Sequence, residues 1–145
     1  MSQERDAAAL ERFRPIYDAV SRGDTKPYLD HLDEDVEVHQ PAELLGTKGT
    51  FRGKEGMLEL LDEVAEAFTE IDWRPLRVID LGDERYLVLL RPKGKGRGSG
   101  VVLEAEVAHL IQQRDGKTTR LDAFVGWDDA LKAVGLSEQD AHADS

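Results

Sequence analysis

The chain contains no cysteine. Disulfides, thiolate catalysis and cysteine-ligated metals are therefore excluded, and redox chemistry gives no hint of compartment. It also has no apolar run approaching the ~20 residues that a bilayer-spanning helix requires. The opening segment, MSQERDAAALERF, has neither an apolar stretch nor a small-residue cleavage site, so it does not read as a secretory leader. Positive charge is scarce: 19 Lys and Arg stand against 30 Asp and Glu, a formal net charge of −11. That balance opposes phosphate backbones and anionic lipid. We expect a cytoplasmic protein with no nucleic-acid and no membrane partner. Metal sites need about three converging ligands. His31, His39 and His109 show no such spacing, and His142 falls in the tail, so neither metal nor cofactor is expected.

What is present suits one domain, residues 1–136, with a polar tail over 137–145. Leu10, Phe13, Ile16, Tyr17 and Val20 recur at helical spacing. Pro15 either kinks that helix or starts its stable part, and Gly23 ends it. A short second helix is expected from Thr25 to Leu32. Asp33-Glu34-Asp35 then turns into a strand, Val36 to Gln40. Residues 41–53 read as a loop, and Lys54 to Phe68 as a third helix. Strands follow: Trp73 to Leu81, Arg85 to Arg91 after a Gly82-Asp83 turn, one long strand from Gly100 to Gln113, and Lys117 to Trp127. Asp128 is a candidate N-cap for a last helix, closed by Gly135 with Leu136 folding back. Helices first and antiparallel strands last argue an α+β fold, with helices against one face of a curved sheet.

Several pieces stand in a telling order. They are Arg22-Gly23-Asp24, Asp33-Glu34-Asp35-Val36, Phe51-Arg52-Gly53-Lys54-Glu55-Gly56, Gly96-Arg97-Gly98-Ser99-Gly100, Arg114-Asp115-Gly116-Lys117, and Ala130-Leu131 with Gly135-Leu136. Over residues 10–136 this pattern resembles the SnoaL-like (nuclear-transport-factor-2-like) superfamily of ketosteroid isomerases, limonene epoxide hydrolases and polyketide cyclases. The resemblance implies a cone-shaped barrel of mostly antiparallel sheet. Three N-terminal helices would cover its concave face, with a short C-terminal helix. It also implies an internal apolar pocket and often a homodimer.

The two best-understood chemistries of that superfamily find no match. Steroid isomerisation needs a carboxylate base and an oxyanion hole made by a tyrosine and a protonated aspartate. Aligned on Gly23-Asp24 and Pro41, the base position holds Gln40, an amide that cannot take the proton. The tyrosine position holds Ile16. Tyr17, one residue on, would point about 100° away round the helix. The acid position holds His109. Epoxide hydrolysis by the limonene type needs Arg-x-Asp on a strand, where this chain reads Arg85-Tyr86-Leu87. Its second aspartate falls near Ala123, beside Asp122. A cyclase-type carboxylate on the late strands could be Asp122 or Asp128.

Strand alternation places Val101, Leu103, Ala105, Val107, His109 and Ile111 on one face. The opposite face carries Val102, Glu104, Glu106, Ala108, Leu110 and Gln112, suited to solvent or a dimer contact. The resemblance makes the His109 face the pocket wall. The expected pocket set is Ile16, Val38, Gln40, Val107, His109 and Ile111. His109 is the candidate catalytic group, with Asp122 as a weaker one. A histidine among apolar neighbours can act as acid, base or donor, and it can equally be a satisfied core residue. Trp73 and Trp127 read as packing anchors. Arg120 and Asp122 read as a surface pair. Lys93 to Gly100 reads as a glycine-rich hairpin rather than a phosphate loop, because it joins strand to strand. The expected function is binding of a small apolar, ring-bearing molecule, with lyase-, isomerase- or cyclase-like acid–base chemistry at His109 as an extension. The alternative is a non-catalytic homodimeric module whose pocket is filled by its own side chains. A cavity well above ~300 Å³ would favour a ligand, and a packed cone the module.

Overall fold

Apolar residues spaced three and four apart make the first segment helical over α1 (Gln3–Ser21) in the computed structural model, which describes residues 3–41 and 49–137. The helix runs through Pro15 rather than starting there. Pro15 lies on the exposed side, where water can satisfy the carbonyl its missing N–H leaves free. The buried line is Asp6, Ala9, Phe13, Tyr17 and Val20. Gly23, at φ +85°, closes the helix: its N–H donates to Val20 O (2.9 Å) and that of Asp24 to Ala19 O (2.8 Å). This paired closure needs a left-handed residue, which glycine supplies without strain.

Next come α2 (Lys26–Asp30) and β1 (Leu32–His39). The strand starts earlier than expected, with the Asp33-Glu34-Asp35 stretch absorbed into an irregular register between Leu32 and Glu37. β2 (Thr50–Arg52) lies inside the expected loop; residues 42–48 of that loop fall outside the described residues. α3 (Gly53–Ala67) follows. The later strands are β3 (Phe68–Asp72), β4 (Pro75–Gly82), β5 (Arg85–Leu90), β6 (Lys93–Gly96), β7 (Val102–Glu104), β8 (Val107–Arg114) and β9 (Lys117–Val125), and the chain ends in α4 (Trp127–Ala133). The polar tail beyond Ser137 lies outside the described residues.

Three expectations are corrected here. The run expected as one strand from Trp73 begins at Pro75, and β3 precedes it. The turn between β4 and β5 centres on Asp83 and Glu84, both at positive φ, as two-residue hairpins prefer. The long strand expected from Gly100 to Gln113 is two strands, because the chain changes sheets at Ala105 and Glu106. β7 pairs with β6, whereas β8 pairs with β5 and β9. The partner hairpin arm changes sheets at Pro92, which has no N–H to give a ladder.

Six strands form one curved sheet in the order β2-β1-β9-β8-β5-β4, antiparallel except for the parallel β1–β9 pair. Its end strands β2 and β4 do not pair, so the expected barrel is an open sheet. A three-stranded sheet, β3-β6-β7, stands beside it. The main core lies between one sheet face and α1, α2 and α3. A smaller core on the other face packs Ile79, Leu87, Leu89 and Ala108 under Trp127, Ala130 and Leu131 of α4. β5 is therefore buried on both faces, with Val88 and Leu90 in one core and Leu87 and Leu89 in the other. The face expected to meet solvent at Ala108 is covered by α4 instead. Trp127 Nε1–H is shared between the carbonyls of Leu90 (3.0 Å) and Val107 (3.1 Å). Asp128 does not cap α4; Gly126 holds the cap position, at φ +85°. Gly135 (φ +78°) closes the helix, and Leu136 N–H donates to Leu131 O at 2.8 Å. Among the described residues no helix is long and apolar enough to cross a membrane.

Candidate functional site: a cavity walled by Tyr17 and His109

Between the helices and the two sheets lies a cavity of about 260 Å³. α3 supplies Met57, Leu60, Leu61 and Val64 to its wall, β3 supplies Phe68 and Ile71, and β1 and β9 supply Val38 and Leu121. Leu103, Ala105, Val107 and His109 continue the wall along β7 and β8. The alternation read from the sequence thus survives the change of sheets at Ala105. Polar groups on the wall are few: Tyr17, Tyr28, Gln40, Trp73, Glu104 and His109. Glu104 is exposed and engaged by Arg74, Nη1 to Oε2 2.8 Å. The volume falls just below the ~300 Å³ usual for ligand pockets. It exceeds the ~150 Å³ of an apolar cavity that admits benzene, so it is not a side-chain-packed cone.

Tyr17 Oη and His109 Nδ1 lie 2.8 Å apart in buried surroundings. Several contacts hold Tyr17 there. Asp6 lies eleven residues back, about three full helical turns, so both residues share one face. Asp6 accepts the N–H of Asp80 (2.8 Å) and faces Arg77 (3.6 Å), which fixes the rotation of α1 on β4. At the other end Ser21 Oγ donates to Tyr17 O (3.0 Å) and accepts the N–H of Trp73 (2.9 Å). His109 is the third residue of β8, opposite Val88 on β5 and Ala123 on β9, with its ring 6.2 Å from that of Trp73.

Burial sets the protonation states. Desolvation lowers His109 from the usual imidazole range to about 4, so it is neutral at pH 7. Burial raises Tyr17 well above its ordinary value, with the neighbouring Tyr28 adding to the effect. Tyr28 is likewise raised by burial. The buried Tyr17, Tyr28 and His109 are therefore neutral at pH 7. Trp73 Nε1–H is buried with no hydrogen-bond partner among the described residues, a state that costs about 1–3 kcal/mol unless something accepts it.

Of the sequence-predicted set, Val38, Gln40, Val107 and His109 line the cavity. Ile16 packs at the flank of the core, and Ile111 is buried within it; neither reaches the cavity. The expectation that Tyr17 points away is overturned. Helix rotation follows the buried line through Asp6 and Phe13, which turns Tyr17 towards the cavity. Trp73 is a wall residue rather than packing alone. Asp122 lies outside the cavity, held by Arg120 through Nε (2.9 Å) and Nη2 (3.1 Å). Asp128 is exposed on α4. Leu87 is buried in the smaller core. His39 bonds Glu37 at 3.0 Å, outside the cavity wall. The glycine-rich hairpin is anchored: the Arg97 guanidinium donates to Ala65 O (2.8 Å) and Phe68 O (3.1 Å) at the end of α3, where a cation suits the helix dipole. Among the described residues no group of three or more His, Asp or Glu side chains is placed to hold a metal.

Residues 13–121 match the SnoaL-like domain family. Known structures share the fold. TerC, co-crystallised with polyporic acid, is 24% identical at TM-score 0.70, over 86% of this chain and 96% of that one. An NTF2-like protein of unknown function from Burkholderia pseudomallei K96243 is 20% identical at TM-score 0.71, over 87% and 96%. A polyketide cyclase-like protein from Jannaschia sp. CCS1 is 15% identical at TM-score 0.68, over 89% and 92%. No curated protein matches the sequence.

Proposed function

The chain belongs to the SnoaL-like family, and from that premise we propose that its cavity binds a small apolar, ring-bearing compound carrying one or two polar handles. The observation that carries this reading is a cavity of about 260 Å³ with a neutral, hydrogen-bonded Tyr17–His109 pair on a mostly apolar wall. Apolar walls favour uptake of rings, and a few fixed polar groups orient them. The volume suits one or two rings. The co-crystal of TerC with polyporic acid lends support from a fold neighbour. Turnover, where it occurs, would be cofactor-independent, with His109 touching the substrate. At about 260 Å³ the cavity lies between a side-chain-packed cone and the volume well above ~300 Å³ that would favour a ligand, so a non-catalytic homodimeric module remains the alternative.

A thermal-shift screen against apolar carbonyl compounds, phenols and polyketide-like compounds tests the proposal. Ligand at a hundred times its dissociation constant adds about 2.7 kcal/mol, a rise of several degrees for a domain of this size. We expect hits whose shift shrinks in His109→Leu while the variant stays folded. A screen flat across all three classes would count against a ligand pocket. Unfolding of both His109→Leu and His109→Gln would mark a structural histidine.

A further inference from the structure

The three-stranded sheet ends in an open edge. Among the described residues no strand pairs with the far side of β7. On its near side Val101 O accepts the N–H of Gly96 (2.8 Å), and Ala105 N–H donates to Pro92 O (3.2 Å). Backbone groups along an antiparallel ladder point alternately to one neighbour and the other. Val101, Leu103 and Ala105 therefore turn theirs towards β6, and Val102 and Glu104 turn theirs outwards. The side chains here are apolar too: Val101, Val102 and Leu103 are 54%, 58% and 53% exposed. Open edges are commonly guarded by lysine, proline or a bulge, and Val102-Leu103-Glu104 has none of the three. We propose that two copies of this chain join at this edge, β7 against β7, antiparallel about a twofold axis at Leu103. Each copy then sets its Leu103 at the mouth of the other's cavity.

A second β7 matches the edge in backbone, charge and apolar surface. With Leu103 on the axis, Val102 of each copy lies opposite Glu104 of the other. These are the residues whose backbone groups point outwards, so each pair exchanges both of its N–H···O=C bonds. On one face of the small sheet the register makes two rows, Glu70–Lys95–Val102 and Asp72–Lys93–Glu104. The axis joins the end of one row to the end of the other, Val102 against Glu104. No like charges then face each other across the seam, which matters in a chain of net charge −11. On the other face Ile71, Gly94 and Leu103 form one row, and all three line the cavity. Leu103 is also half exposed, so it stands at the cavity mouth. The two Leu103 side chains meet there as a directly opposed pair without hydrogen bonds, the closer of the two spacings. The six-stranded sheet offers less. α4 covers its outer face over Ile79, Leu87, Leu89 and Ala108, and Arg120 and Asp122 are paired with each other on it. Three residues a side make a small contact of the kind found in transient complexes, so the dimer is reversible.

Sedimentation velocity of the wild type up to about 1 mM, the weak end of specific association, should show a monomer–dimer equilibrium. Monomer at every concentration overturns the proposal. Val102 does not line the cavity, so it can be changed without touching the pocket. Val102→Glu sets like charges opposite each other at both seam pairs and should weaken the dimer about tenfold. Val102→Lys sets opposite charges there and should strengthen it. Plain apolar adhesion would be weakened by both changes, and that result overturns the twofold register. Leu58→Glu and Leu58→Lys, on the exposed side of α3, repeat the change in net charge away from the seam. They should leave the equilibrium unmoved, and a response as large as that at Val102 overturns the assignment. Amide hydrogen exchange of the unmodified protein gives a reading that needs no variant. The Val102 and Glu104 amides should slow as concentration rises; a dimer in which they do not slow uses another surface and overturns the proposal. No ligand enters these experiments, so their failure leaves the pocket reading as it stands.

Discussion

A neutral imidazole buried at the cavity wall ties stability to pH. His109 has a folded-state value of about 4 against an ordinary 6.5. The unfolded chain therefore binds the proton first as pH falls. The stability in question is complete above pH 6.5 and is lost as pH drops towards 4, by a few kcal/mol. His31, also lowered chiefly by burial, adds in the same direction. Urea unfolding at pH 7.0, 5.5 and 4.5 should show a steep decline in the wild type and a shallower one in His109→Gln. Parallel profiles would show that His109 is not desolvated. At this scale the sequence was half legible. Alternation put His109 on one apolar strand face, the resemblance made that face the pocket wall, and periodicity put Tyr17 in the apolar stripe of α1. One residue on from the position the resemblance assigns, Tyr17 is expected about 100° away round the helix. The Asp6 anchor that fixes the rotation is a tertiary contact, and no local pattern announces it.

Helix ends and glycines govern how the elements frame the cavity. Gly135 closes α4 at φ +78° with open space where a Cβ would go. Gly135→Ala should therefore cost only backbone strain, about 1 kcal/mol, seen as a lower denaturation midpoint with ligand affinity unchanged. Gly94 differs. A Cβ there would meet the Phe68 ring at 2.8 Å, and both residues line the cavity. Gly94→Ala should fill or deform the cavity and weaken binding of a two-ring probe by more than it lowers stability. The reverse ranking would contradict the cavity wall described here. Both glycine-closed helix ends, at Gly23 and Gly135, were readable from sequence, because a left-handed closure has a local residue signature. The split of β7 from β8 was not. A two-residue period continues unbroken when a strand leaves one sheet for another, and only pairing partners reveal the change.

Two cores share one curved sheet, three helices on one side and α4 on the other. The order of elements gave the α+β class, since helices followed by antiparallel strands must bury one sheet face against helices. Openness was harder to foresee. Whether β2 and β4 meet depends on accumulated twist, which sequence does not state. The most direct test of the cavity as a ligand site is an NMR titration of methyl- and ¹⁵N-labelled protein with 1-indanone. Shifts should gather at Leu60, Val64, Ile71, Leu103, Val107 and the indole of Trp73, and leave Leu87 and Leu131 of the smaller core unmoved. Shifts centred on Arg120 and Asp122, or on the α4 core, would contradict the account.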